Sequence, residues 1–318
     1  MSGVLPLYRP KLNHNHRQDA TSTVFAWYAA LIPLWDLCLL SVVTRLTKCS
    51  LDIPLNYALP AAASALAYLN ARWSISYDAK LIGSLVKALA RSRYASWNSR
   101  LNLFYMLEHH AQAPATKDHP MLVYNGRTWT FQEAYLTAMR YGTWLKTVHG
   151  VKPKDIVAID FMNSSTFIFL MLGLWSIGAV PALINYNLTG KPLTHSVHVS
   201  TAKLLIVDEE LRRNFTPELM ETFATPGFRE EKGAVDVLFF TPDVEEQVLK
   251  TPALREEDNV RDNVELRDLA VLIYTSGTTG LPKPAIVSWL KCWLGSVFSG
   301  NWLKLSKDDR FFTVCQYP

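Results

Sequence analysis

The sequence predicts an α/β protein whose parallel sheet is covered by helices on both faces. Apolar stretches of strand length occupy residues 155–161, 180–184 and 204–208. Stretches with helical patterning separate them, at residues 166–177 and 192–200. Strands and helices that alternate in this way form βαβ units, because parallel strands are joined by long crossovers that are usually helical.

The segment before these units predicts a β-hairpin followed by a helix. Residues 121–131 contain two short strand patterns around Asn125-Gly126, a pair that favours tight hairpin turns. Thr130 and Glu133 have the spacing of a capping box, so we expect the helix to begin there. Gly150 is the expected end of this helix, since glycine accepts the left-handed backbone that closes many helices.

The region between the βαβ units and residue 268 is acidic and irregular, and it predicts one further strand at residues 235–240. Its acidic run at residues 256–258 is expected to be a solvated surface. His195 and His198 stand three residues apart on a predicted helix. Without a third ligand, a structural role is the better interpretation than a metal site.

The N-terminal part of the chain predicts contact with a membrane. Residues 1–20 form a polar tail, and residues 21–75 contain apolar segments that we predict to be membrane-associated. The run at residues 24–43 has the length of a bilayer span, although Asp36 near its middle is costly there. The run at residues 53–69 is rich in alanine and is left open as a second span, a re-entrant piece or an interfacial helix.

Residues 76–100 predict a basic amphipathic helix. Five apolar side chains fall on one helical face, namely Leu81, Ile82, Leu85, Val86 and Leu89. Such a helix lies either in a membrane interface or against the globular domain, and the sequence leaves both open. Residues 1–100 hold 11 Lys and Arg against four Asp and Glu. This charge favours an anionic membrane surface; it is scattered and accompanies no nucleic-acid motif, so no nucleic-acid partner is expected.

The composition agrees with contact between the protein and lipid. Hydrophobic residues make up 49% of the 318-residue chain and charged residues only 19%. The four cysteines are not spaced as metal ligands, and reduced structural thiols are the expected state. No metal site is predicted from the residues.

A loop of small and hydroxyl residues between two strand patterns is the candidate ligand site. It covers residues 274–283, between apolar stretches at residues 269–273 and 285–289. Its glycines let backbone N–H groups approach an anion, its hydroxyls donate further hydrogen bonds, and its lysine adds positive charge. The candidate phosphate-binding residues are Tyr274, Thr275, Ser276, Gly277, Thr278, Thr279, Gly280, Leu281, Pro282 and Lys283. A hairpin turn with a surface lysine uses the same residue types and is the structural alternative.

The ten residues of this loop read YTSGTTGLPK and resemble the signature loop of the adenylate-forming, AMP-binding superfamily. The stretch at residues 177–188, IGAVPALINYNL, is similar to the fungal very-long-chain acyl-CoA synthetase and fatty acid transport protein family. The resemblance covers roughly residues 51–313. It implies that residues 101–318 form an AMP-binding N-terminal domain of α/β fold, preceded by membrane-associated helices.

The resemblance implies activation of a long-chain or very-long-chain fatty acid to its acyl-CoA, coupled to fatty acid uptake. ATP, Mg²⁺ and CoA are the implied cofactors, and the fatty acid and membrane lipid are the implied partners. The ten loop residues would then hold the β- and γ-phosphates of ATP. Two alternatives remain open, a non-catalytic membrane-bound lipid-uptake or scaffold protein and a ligase for another carboxylic acid.

The resemblance also implies motifs after this loop that the chain does not contain. We therefore expect an incomplete domain without a catalytic residue of its own, and a chain that is inactive alone. Strands that pair with residues 269–273 are expected to be missing, which would leave an open sheet edge. The implied location is a membrane of the endoplasmic reticulum, peroxisome, lipid droplet or cell surface, with the domain facing the cytosol. Oligomeric state is left open.

Overall fold

The computed structural model describes residues 55–225, 233–275, 281–306 and 308–312. The chain divides into two units, residues 1–75 and residues 76–318. The first unit contains helix α1 (Leu55–Trp73). The predicted polar tail and the apolar run at residues 24–43 lie outside the described residues.

Helix α1 does not support the second membrane span, which was one of three alternatives left open for residues 53–69. In the described ranges, no helix combines the length and the apolarity that crossing a bilayer requires. The physical reason in α1 is composition, because its alanines are only weakly hydrophobic and Asn56, Asn70 and Arg72 interrupt the apolar sequence. Pro60 also lies inside the helix.

The second unit begins with two helices and a hairpin. Its first helices are α2 (Ile75–Trp97) and α3 (Phe104–Gln112). Strands β1 (Pro120–Tyr124) and β2 (Arg127–Thr130) pair antiparallel. Asn125 and Gly126 both have positive φ, so the predicted hairpin turn is confirmed.

The long helix after the hairpin has the predicted boundaries. Helix α4 spans Phe131–His149. The Thr130 hydroxyl accepts from the Glu133 N–H, and the Glu133 carboxylate accepts from the Thr130 N–H, which forms the capping box. Gly150 closes the helix with φ of 63°. Phe131, which the sequence assigned to a strand, is the first residue of the helix.

The βαβ units follow in the predicted order. Their elements are β3 (Ile156–Asp160), α5 (Ser165–Ser176), β4 (Val180–Ile184), α6 (Gly190–Ser200) and β5 (Leu204–Asp208). The remaining elements are α7 (Pro217–Ala224), β6 (Asp236–Phe240), α8 (Pro242–Lys250), β7 (Leu269–Thr275), β8 (Lys283–Ser288) and α9 (Trp289–Trp302). Short 3-10 helices cover Glu209–Asn214 and Asp258–Val260.

The six main strands form one sheet in the order β6-β5-β3-β4-β7-β8. The first five are parallel, and β8 pairs antiparallel with β7. Strand β7 is therefore paired on both sides, by β4 and by β8. The expectation that its partner strands are missing was wrong, because the strand that follows it in sequence folds back beside it.

Helices cover the sheet on both faces, as predicted. On one face, Val157 and Ile159 of β3 share a buried cluster with residues of α4 and α5. On the other face, Ala158 of β3 shares a second cluster with Leu193 and Val197 of α6. Side chains alternate between faces along a strand, so one apolar strand supplies both cores.

Two helices in the acidic region were missed by the sequence reasoning. Helices α7 and α8 each begin with proline after a threonine cap, Thr216 and Thr241, whose hydroxyls accept from the backbone N–H groups of the third helical residues. Thr-Pro followed by an acidic residue is a helix-start signal. It was overlooked because both helices are short, with eight residues in α7 and nine in α8.

Part of the acidic run before β7 belongs to an ion-pair network, whereas Glu257 is exposed, as expected of a solvated surface. Arg255 bonds Glu108 of α3 at 2.5 Å and Asp258 at 2.6 Å. Asp258 also lies 2.9 Å from Arg100 and 3.2 Å from Arg261. These arginines are distant from the carboxylates in sequence or buried, so composition alone did not reveal the pairing. The network holds the segment before β7 against the first helices of the unit.

Helix α2 packs on the domain through its small residues. Ser84, Ala88, Ser92 and Ala95 are buried. They face a cluster that contains Trp293 and Val297 of α9. The five apolar residues predicted to share a face remain between 38% and 59% exposed. The domain therefore packs against the small residues of α2, and the five apolar residues of the helix remain exposed to solvent.

Candidate phosphate-binding loop

The candidate loop is closed at its base by a strand pair. Thr275 is the last residue of β7 and Lys283 the first of β8, and the two lie opposite each other in the antiparallel register. The Thr275 hydroxyl donates to the Lys283 carbonyl oxygen at 3.4 Å. The pairing brings the two ends of the predicted phosphate loop together.

Of the ten predicted residues, the structure places the two flanks. Tyr274, Thr275, Leu281, Pro282 and Lys283 are described, and Thr275 and Lys283 are exposed while Pro282 is buried. The five central residues, Ser276, Gly277, Thr278, Thr279 and Gly280, lie outside the described residues. Their assignment to phosphate stays a prediction.

Tyr274 fixes the start of the loop to the helix behind it. Its hydroxyl donates to the Ser196 carbonyl oxygen of α6 at 2.8 Å. The side chain packs against the second core cluster. Burial raises the pKa of the Tyr274 hydroxyl, so it stays protonated and keeps this bond throughout the neutral range. Tyr274 is a structural anchor beside the loop, not one of its exposed donors.

Strand β7 is fixed on its other side by a tryptophan of α5. The Trp175 indole N–H donates to the Ala270 carbonyl oxygen at 2.9 Å. Trp289, the first residue of α9, packs against the same ring at 5.5 Å between centroids. Trp289 was predicted as the end of the second strand, but Ser288 ends β8 and α9 begins directly after it. Strand β7, which leads into the loop, is therefore held by contacts on both faces of the sheet.

The loop emerges at the carboxyl edge of the parallel strands. In open α/β sheets, ligands bind at this edge. The same edge carries Asp160 at the end of β3 and Asp208 at the end of β5. The sequence reasoning missed Asp160; a charged residue inside the apolar run VAIDF was the available signal.

Neither the histidine pair nor other side chains form a metal cluster in the part of the chain that the structure describes. His195 and His198 line a shallow surface depression between α6 and α7, together with Lys191, Thr194 and Thr222. The pair lies apart from the candidate loop in sequence and belongs to another helix.

Comparisons with known proteins identify the family and support the fold. The model of the family described as AMP-binding enzyme matches residues 109–317. The chain is 30% identical, over 82% of its length, to a very long-chain fatty acid transport protein of Cochliobolus heterostrophus. It is 32% identical, over 62% of its length, to a medium/long-chain fatty acid–CoA ligase of Mycobacterium tuberculosis. It spans 40% of the first relative and 31% of the second.

A solved structure supports the fold alone. An o-succinylbenzoate–CoA synthetase of Bacillus subtilis superposes on 64% of this chain with a TM-score of 0.51 and 24% identity. The aligned part is 37% of that protein. The α/β fold predicted from the alternation of strands and helices is thus confirmed.

Proposed function

Because the chain belongs to the AMP-binding enzyme family, we propose that its β7–β8 loop binds the phosphates of ATP for the adenylation of a fatty acid. The observation that carries the proposal is the pairing of Thr275 with Lys283. This pairing supports a loop of hydroxyl and glycine residues at the sheet edge where α/β proteins bind ligands. Successive backbone N–H groups in a loop of this composition can bind an anion, which suits a polyphosphate.

The proposed chemistry has two steps. A carboxylate oxygen of the fatty acid forms a bond to the α-phosphorus of ATP, and the bond to pyrophosphate breaks. The CoA sulfur, having lost its proton, then attacks the acyl carbon, and AMP leaves. The loop would bind the β- and γ-phosphates, where negative charge grows as pyrophosphate departs. Lys283 is exposed at the loop base and offers a compact positive charge there.

The fatty acid as substrate is supported by the names of the two relatives, one a fatty acid transport protein and one a fatty acid–CoA ligase. The exposed apolar stripe of α2 is consistent with a protein that meets lipid. A different carboxylic acid is the competing substrate. A series of acyl chain lengths in the assay below distinguishes the two.

ATP binding and fatty-acid-dependent ATP–pyrophosphate exchange test the proposal. We expect the chain to bind ATP, and the double variant Thr278→Ala with Lys283→Ala to bind it at least tenfold more weakly. Thr137→Ala is the matched control, since its hydroxyl donates within its own helix, to the Glu133 carbonyl oxygen. Equal ATP affinity in the double variant and the control would reject the loop assignment.

The ATP–pyrophosphate exchange assay distinguishes a ligase from a non-catalytic protein. Fatty-acid-dependent exchange that the double variant lacks would support a ligase. Fatty acid binding without ATP, together with no exchange from the chain or from a version extended through the further motifs that the resemblance implies, would instead favour a lipid-uptake or scaffold protein.

Contact with an anionic membrane through α2, coupled to fatty acid uptake, is the second part of the proposal. The outward face of the helix carries the five exposed apolar residues, and Trp97 is 87% exposed. Lys80, Lys87, Arg91 and Arg93 accompany them, with Asp78 the acidic residue in the helix. Apolar and aromatic side chains beside basic ones favour the interface of an anionic bilayer.

Co-sedimentation with phosphatidylserine vesicles tests this contact. We expect Arg91→Glu with Lys87→Glu to reduce binding several-fold, and added salt to reduce it further. Lys250→Glu is the matched control, because that lysine is exposed on α8 and pairs with Glu246 of the same helix. Equal binding of the variant and the control would reject α2 as the membrane contact.

A further inference from the structure

Asp160 is a buried carboxyl group without a complete set of partners. It is the last residue of β3 and is 1% exposed. Its Oδ1 atom has no hydrogen-bond partner within the described structure. A buried polar atom left unpartnered costs free energy, and such atoms are few in folded proteins. The position therefore calls for a physical reason.

Asp160 lies at a topological switch point of the sheet. After β3 the chain turns to α5, which packs on one face of the sheet. After β4 and β5, the strands on either side, the chain turns to α6 and α7 on the other face. Connections that diverge to opposite faces leave a gap at the carboxyl ends of the strands, and ligands bind there.

The neighbouring strands of Asp160 are apolar at its level. The sheet register sets it beside Ile184 of β4 and Val207 of β5, two buried aliphatic residues. Burial, together with the charge of Asp208 at the end of β5, raises the pKa of Asp160 to about 7. Met162 and Tyr186 follow β3 and β4 at this edge and are only half-buried.

The chemistry of Asp160 limits what could bind there. A fatty acid carboxylate and the phosphates of ATP are acceptors with negative charge, so the carboxyl group repels them once it is ionised. Hydroxyl groups of ribose, the amino group of adenine and the amides of pantetheine are uncharged donors. Among the ligands of the proposed function, only these groups match an acceptor oxygen in an apolar setting.

We propose that Oδ1 of Asp160 accepts a hydrogen bond from an uncharged O–H or N–H donor of a ligand bound at the carboxyl edge of β3. The inference rests on the proposed function, because that function supplies the ligands. ATP and CoA could each supply such a donor. Asp160 is then a binding residue apart from the β7–β8 loop, with β4 between β3 and β7 in the sheet.

Binding of ATP and of pantetheine to the 318-residue chain tests the proposal. Asp160→Leu keeps the branched shape of the side chain although it is larger, removes the acceptor and suits the aliphatic neighbours, and Asp160→Asn removes only the charge. We expect Asp160→Leu to weaken one of the two ligands by roughly 10- to 100-fold, as expected for a hydrogen bond to an ionisable group. Asp160→Asn should have a smaller effect. Weaker binding of ATP alone would identify a donor on the nucleoside. Weaker binding of pantetheine alone would identify an amide or hydroxyl group of pantetheine.

Asp155→Asn is the matched control. It makes the same charge change at the opposite end of β3, where Asp155 pairs with Lys203 at 3.1 Å, and it should leave both affinities unchanged. Wild-type affinity for both ligands in Asp160→Leu would overturn this inference and leave the proposed function standing. If the wild-type chain binds neither ATP nor pantetheine, both this inference and the proposed function are overturned.

Discussion

The guanidinium group of Arg261 lies over the ring of Phe104, with 4.9 Å between its central carbon and the ring centroid. Arg261 is 1% exposed. It donates to the carbonyl oxygens of Ser176 and Glu256 and to the carboxylate of Asp258. This one side chain joins the end of α5, the first helices of the unit and the segment that leads to β7.

We expect Arg261→Met to lower the free energy of unfolding by about 3 kcal/mol or more, because it leaves buried acceptors without a donor. Urea denaturation at neutral pH measures the change. Arg213→Met, an exposed arginine on the 3-10 helix after β5, is the control and should change stability by less than about 0.5 kcal/mol. A similar small effect of Arg261→Met would mean that the network is not needed for folding.

Glu108 should stabilise the fold more at neutral pH than in acid. Burial acts to raise the pKa of Glu108, but hydrogen bonds from Arg255 and Tyr135 outweigh it and leave the pKa below its ordinary value. A carboxyl group of this kind adds stability above its unfolded-state pKa, and that stability disappears as pH falls through the folded-state pKa. Glu108→Gln should therefore be less stable than wild type at pH 7 and approach it near pH 3. A constant difference at both values would contradict the assignment.

Asp160 should show the opposite pH dependence. Its pKa is raised to about 7 from 3.8, so the folded state holds a proton that the unfolded state releases. Stability from this group is present below pH 4 and is lost as pH rises toward 7. Asp160→Asn should then gain stability over wild type as pH increases, up to roughly 4 kcal/mol at pH 8. Urea unfolding at pH 4, 6 and 8 measures the gain, and a gain independent of pH would refute it.

The contact between α4 and α5 depends on two glycines. A methyl group built on Gly173 would lie 2.7 Å from the Tyr141 Cβ and 3.0 Å from the Gly142 backbone nitrogen. Gly173→Ala should destabilise by about 1–3 kcal/mol, because the helices would have to move apart. Gly295→Ala in α9 is the control, since no described atom outside its own helix turn lies within 4 Å of the added carbon. It should stabilise by up to about 1 kcal/mol through helix propensity, and melting temperatures compare the two.

Local sequence signals predicted the elements that local physics determines. The boundaries of β4 and β5 and the capping box at Thr130 were predicted correctly, since apolar runs and cap residues act within a few positions. The position of β7 in the sheet was not predictable in this way, because its neighbour β4 lies far away in sequence. The sequence left α2 open between a membrane interface and the globular domain, since the pattern showed an apolar face but not that the domain would bind the small-residue face instead.

The candidate site likewise has one part that the sequence predicts and one part that it does not. The ten-residue loop could be recognised from its sequence, and the structure places its flanks at the ends of two paired strands. Neither Asp160 nor Arg261 belongs to a recognisable sequence motif. The importance of Arg261 depends on burial and on a partner, Ser176, that is distant in sequence, and that of Asp160 on burial beside aliphatic strands. Only the folded chain reveals either.

The pairing of β7 between β4 and β8 has a consequence for the order of folding. The β7–β8 pair closes a short loop, but the contact of Ala182 with Leu272 joins residues about 90 positions apart. Closing the longer loop costs more chain entropy and slows the step. We expect the β7–β8 hairpin to form early and to dock late. One edge of β4 would then remain unpaired during synthesis of the chain. The segment proposed to bind ATP would then be the last strand pair to join this sheet.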